Sequence, residues 1–76
     1  MTVNELKNKL DEIGVSQDLY SIMIGGLPNE RLCIVKEEMW QVYYSERGQK
    51  VGQKVFETEE EACEYFYGKM KRYSTI

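Results

Sequence analysis

Histidine is absent from the 76 residues of this chain. Without it the sequence lacks the side chain most often used as a general base near neutral pH and as a transition-metal ligand. Cysteine is almost as scarce: Cys33 and Cys63 stand inside the apolar runs Leu32-Cys33-Ile34-Val35 and Ala62-Cys63. Two thiols cannot supply the four nitrogen or sulfur ligands of a structural zinc site. In such runs they are expected as buried free thiols that pack like small hydrophobes. No apolar run approaches the roughly 18 residues that a membrane span requires. The opening Met1-Thr2-Val3-Asn4-Glu5-Leu6-Lys7 has the pattern of neither a secretory signal nor a membrane anchor. A cytoplasmic chain with no membrane contact is therefore expected.

An excess of basic residues is missing too. Thirteen acidic residues against ten basic ones give a net charge of −3, which disfavours binding to nucleic-acid phosphates and favours a basic protein partner. Gly25-Gly26 opens no helix and precedes no lysine, so it reads as a turn and not as a phosphate-binding loop. Glu46 and Arg47 stand in no recognised catalytic spacing and make no catalytic pair. Consecutive glutamates around Glu59 point to different sides of a helix and offer no oxygen cage for a divalent metal. No enzyme activity, metal or cofactor is expected.

What is present reads as one α+β domain spanning residues 1–76. At this length a chain buries only about 60–65% of the surface it exposes when unfolded. A helix is predicted from Val3 to Ile13: Thr2 and Glu5 stand in capping-box spacing, and Val3, Leu6, Leu10 and Ile13 share one stripe. Gly14 follows, where a left-handed cap is expected. Four strands are predicted at about Leu19–Ile24, Arg31–Lys36, Met39–Ser45 and Lys50–Phe56. Gly52 suggests a bulge in the last of them. A second helix begins at Thr58 and carries Ala62, Phe66 and Met70 at helical spacing. Short connections favour neighbouring strands, so the expected order is α-β-β-β-β-α, with an antiparallel meander and both helices on one face.

That architecture implies where a partner would bind. In the third strand Trp40, Val42 and Tyr44 alternate with Met39, Gln41 and Tyr43. The first set is expected in the core and the second on the face the helices leave open. An apolar surface of that kind marks an interaction site. The candidate partner-binding residues are thus Met39, Tyr43, Glu46 and Arg47, with Tyr43 and Arg47 as anchors of the types most often found at interfaces. Glu59 and Glu60, at the acidic start of the last helix, form a second candidate element. Carboxylates there also complement the helix dipole, as Lys69, Lys71 and Arg72 do at the other end.

The run Trp40-Gln41-Val42-Tyr43-Tyr44-Ser45-Glu46-Arg47-Gly48, followed by Phe56-Glu57-Thr58-Glu59-Glu60-Glu61-Ala62, carries two resemblances. Over nearly the whole chain the sequence resembles small acidic proteins of low-GC Gram-positive bacteria, similar to the immunity partners of secreted polymorphic toxins. That resemblance implies a protein-binding module that neutralises a basic toxin domain by occluding it. From the third strand onward the chain also resembles the sheet-plus-helix DNA-binding module of integrase arms and AP2 domains, and in overall order the double-stranded-RNA-binding fold. Here Lys36, Arg47, Lys50 and Lys54 are interleaved with Glu37, Glu38, Glu46 and Glu57, so nucleic-acid binding is the alternative. A homodimeric interaction role is a third reading.

Overall fold

Thr2 caps the first helix in the computed structural model, which describes residues Met1–Ile76. Its hydroxyl accepts from the Glu5 amide at 3.2 Å, and the Glu5 carboxylate accepts from the Thr2 amide at 2.8 Å. Two of the orphan donors of the first turn are thereby satisfied. Helix α1 runs Val3–Glu12 and buries Leu6 and Leu10 completely. The chain then turns at Gly14, where φ is +74°. A 3₁₀ turn at Gln17–Leu19, capped by Ser16, leads directly into β1 (Tyr20–Ile22). Strands β2 (Arg31–Lys36), β3 (Trp40–Glu46) and β4 (Gln49–Phe56) follow, then α2 (Glu59–Met70). A second 3₁₀ turn, Lys71–Tyr73, continues α2. The second of these turns is an addition to the predicted α-β-β-β-β-α order, whereas the polar Ser16-Gln17-Asp18 connection is compatible with one helical turn.

The sheet is open and four-stranded, in the order β1-β2-β3-β4. Its last three strands form the expected antiparallel meander, with Arg47 and Gly48 both at positive φ in the β3–β4 turn. That geometry matches the twist of the flanking strands. The predicted bulge is also present: the β3–β4 register shifts between Val42 and Tyr44, opposite Gly52, whose φ is +62°.

The fully antiparallel arrangement is wrong at β1, which pairs with β2 in parallel. Parallel neighbours usually need a crossover of about a dozen residues or more, commonly a helix. Here Met23–Glu30 alone makes the return. It does so because Met23, Gly25, Gly26 and Glu30 all adopt left-handed φ, between 55° and 79°. The glycines and proline that read as a simple reversal reverse the chain more than once. β1 is correspondingly shorter than predicted, ending at Ile22 instead of Ile24.

Both helices pack on one face of the sheet. Leu6 and Leu10 from α1 and Ala62, Cys63, Phe66 and Met70 from α2 join Tyr20, Ile22, Ile34, Trp40 and Val42 in the main core. Tyr20 meets Phe66 edge-on, with ring centroids 6.3 Å apart. The opposite face holds a second, smaller core of Cys33, Val35 and Tyr43. What covers it is the crossover: the Tyr43 hydroxyl donates to the Gly26 carbonyl at 2.7 Å. The two thiols therefore sit on opposite sides of the sheet, both free and both fully buried. No helix is long and apolar enough to cross a membrane.

Candidate functional site

The sheet ends in two unlike edges. β1 is three residues long and buried throughout. β4 is eight residues long, and all but its last residue are exposed. It carries no proline, and although Tyr65 of α2 packs against Phe56 at its end, the residues before Phe56 are all exposed, so its outward backbone groups lie open to a further strand. Val51 and Val55 are half exposed along it.

Beside that edge, on the helix side of the sheet, lies a groove of about 460 Å³. The floor comes from the sheet and the 3₁₀ turn: Leu19, Leu32, Val42 and Val51. Its walls are tyrosines, Tyr44 from β3, Tyr65 from α2 and Tyr73 from the turn after it. Three cations rim it, Lys54, Lys69 and Arg72, against one carboxylate, Glu30. The Lys69 ammonium lies 5.4 Å from the centre of the Tyr65 ring, a cation–π distance. Burial, with the carboxylates of Glu30 and Glu46 adding, raises the Tyr44 phenol above its ordinary range. At neutral pH it is therefore an uncharged hydrogen-bond donor. A pocket of this size with an apolar floor and a few polar groups has the make-up of a binding site. Nothing in it is a nucleophile held by a base, and no group of three or more Cys, Asp or Glu side chains is placed to hold a metal.

The residues singled out from the sequence are not gathered into one patch. Tyr43 is 1% exposed, so the open face expected for it does not exist: the crossover lies on it, and Lys50 closes over its ring at 4.6 Å. Burial raises its hydroxyl pKa, with Cys33 and Glu37 adding. Met39 is exposed just before β3, whereas Glu46 and Arg47 stand at the far end of that strand, roughly 23 Å away at the usual rise per residue. Glu46 is half-buried, and Arg47 is exposed in the turn. Glu59 accepts from the Val3 amide at 2.9 Å and so ties the start of α2 to that of α1. Glu60 is exposed beside it.

The groove itself was not read from the sequence, although a signal for it exists. Tyr65, Lys69, Arg72 and Tyr73 recur at i, i+4, i+7 and i+8, one stripe running alongside the core stripe Ala62, Phe66 and Met70. Read alone, its cations look like complements to the helix dipole. Tyr44, expected in the core with Trp40 and Val42, is 36% exposed because α2 does not reach over the β4 end of the sheet to seal it. Set against known proteins, the chain matches no family model, no curated protein and no solved structure.

Proposed function

We propose that this chain is a small protein-binding module that neutralises its partner by occlusion, using the β4 edge and the adjoining groove as its contact surface. The observation that carries this reading is the contrast between a buried, three-residue edge and an exposed, eight-residue one on the same sheet. Soluble proteins usually blunt a long edge, because it pairs with foreign strands. Here the only blunting devices are Lys50, Lys54 and the Gly52 bulge, which discourage unselective pairing and leave the backbone accessible. An immunity-type role, as the sequence resemblance implies, is the biological setting that suits such a surface: a partner is blocked by being covered, with no chemistry required. A partner that is basic overall, as expected from the sequence, would still meet this surface through an acidic segment, because Lys50, Lys54, Lys69 and Arg72 stand at it. The acidic start of α2 is a separate element. The Glu59 carboxylate already accepts from the Val3 amide, and the exposed Glu61 carboxylate accepts from the Thr58 hydroxyl, leaving Glu57, Glu60 and Glu64 exposed as well.

The test is inhibition. The partner to test is any toxin-like domain that a neighbouring gene encodes: added at equimolar ratio, the chain should abolish its activity and co-purify with it as a defined complex. Val51→Asp, at an exposed position on the edge, should leave folding intact and weaken the complex by about tenfold or more. Full inhibition by Val51→Asp would move the contact surface elsewhere. No inhibition by the wild-type chain would end the reading.

A further inference from the structure

The geometry points to the class of ligand that the open edge accepts: an extended acidic peptide segment, added to the sheet as a fifth strand, with one aromatic or long apolar side chain seated between Tyr44, Tyr65 and Tyr73. This rests on the protein-binding reading and adds the chemistry of the bound segment. β4 reads Gln49-Lys50-Val51-Gly52-Gln53-Lys54-Val55-Phe56, with two lysines and no carboxylate. Opposite charges directly across a strand pair stabilise it, and like charges oppose it. A second copy of β4 would bring the same two lysines, so the complementary strand is acidic and not a second copy of this edge.

The lysines also lie on different faces. Lys54 pairs with Val42 and lines the groove, while Lys50 reaches over Tyr43 on the other side. An added strand sends successive side chains to alternate faces, so carboxylates at both parities find a cation. On the groove side Lys69 and Arg72 add two more cations against the single carboxylate of Glu30. This concentration of positive charge stands out in a chain whose net charge is −3. The apolar floor of Leu32, Val42 and Val51 and the three tyrosines give a place to an aromatic anchor, the side-chain type that dominates interface energies. Backbone pairing supplies the remaining affinity, as in other strand-addition complexes.

A fluorescent peptide of about eight residues, matched to the length of β4, Glu-rich with one central Phe, provides the probe. Titrated into the ¹⁵N-labelled chain, it should shift the amides of β4, Tyr44 and Tyr73 in a saturable way. Lys54→Glu with Arg72→Glu should weaken binding by about tenfold or more, and the reversed pair should in turn prefer a Lys-rich version of the peptide. The pair Lys54→Gln and Arg72→Gln, at the same exposed positions, serves as a milder check should the reversed chain fail to fold by circular dichroism. An N-methylated peptide that keeps every side chain should lose binding, because strand pairing is blocked. The inference is overturned by shifts confined to Met23–Glu30, by indifference to charge reversal, by tighter binding of a single-stranded oligonucleotide, or by self-association through β4. Neutralisation of the toxin-like domain that survives charge reversal would leave the protein-binding reading standing and remove only the acidic strand.

Discussion

The two faces of this sheet are closed by different means. On one, two capped helices contribute Leu6, Leu10, Ala62, Cys63, Phe66 and Met70 to a core of twelve buried residues. On the other, an irregular crossover covers three, Cys33, Val35 and Tyr43, and it is tied to the sheet by the Met23 amide donating to the Ile34 carbonyl at 2.8 Å and by the Tyr43 hydroxyl donating to Gly26. Met23, Ile24 and Leu27 of that crossover are themselves substantially exposed. Burial by helices removes a continuous apolar stripe from water, whereas burial by the loop rests on a few contacts and on backbone held at left-handed φ, which costs of order 1 kcal/mol or more at a non-glycine residue such as Met23. The first face should therefore set global stability. The second should open locally at lower free energy.

Four measurements would break or sharpen that contrast. Phe66→Ala removes the centre of the helix-side core, where the ring is fully buried against Tyr20. It should cost about 3–5 kcal/mol in denaturant unfolding, enough to unfold much of a domain this small. A loss as small as that of a surface substitution would mean that the helices are not what holds the sheet.

Alkaline titration compares the faces without disturbing either core first. Burial pushes the Cys63 thiol up to about 11, with Glu59 adding, and raises the Cys33 thiol in the same direction. For a thiol whose folded pKa lies above its unfolded value of 9.0, the folded state holds its proton longer. The associated stability is fully present below pH 9 and is lost as pH rises through about 11. Unfolding free energy should thus fall across that window, and Cys63→Ala should flatten the fall more than Cys33→Ala. Equal flattening would place the two faces on a par.

Tyr43→Phe keeps the ring and deletes the hydrogen bond to Gly26. It should cost about 1 kcal/mol, and amide exchange should accelerate in Met23–Glu30 well before it does in α1 or α2. Uniform acceleration would show that the crossover opens only with the whole molecule. The smallest effect is expected at the groove: Tyr73→Ala, at a position 47% exposed, should change stability by no more than about 0.5 kcal/mol. A larger loss would make the groove part of the core.

What was legible in the sequence follows the same division. Periodicity and capping placed α1, α2 and the last three strands to within a residue or so, because each element satisfies its own backbone and shows its buried stripe at a fixed spacing. Thr2, Glu5, Gly14, Gly52 and Thr58 all act as their spacing implied. The crossover was not legible. Gly25-Gly26-Leu27-Pro28 announces a change of direction but not how many, and parallel pairing of β1 depends on left-handed φ at Met23 and Glu30, which no local pattern requires. The error about Tyr43 follows from that one: with a simple turn its face is open, and with a crossover it is covered. The candidate site was missed for a third reason. Its cations have a ready explanation as helix-end charges, and only the fold sets them beside Tyr44 and the open edge.

The parallel β1 also bears on how the molecule assembles. β2, β3 and β4 meet through short, local hairpins, whereas β1 must return by the slower route of a non-local parallel pairing. Until it docks, β2 is a bare edge whose Leu32-Cys33-Ile34-Val35 run has strong β propensity and no charge. The nascent sheet then exposes two templates for intermolecular pairing: β4, with Lys50 and Lys54 in its interior, and β2, whose charges stand only at its ends, Arg31 and Lys36. The three residues of β1, Tyr20–Ile22, are what close the second of these templates. Weakening them should turn folding into a race against aggregation that worsens with chain concentration.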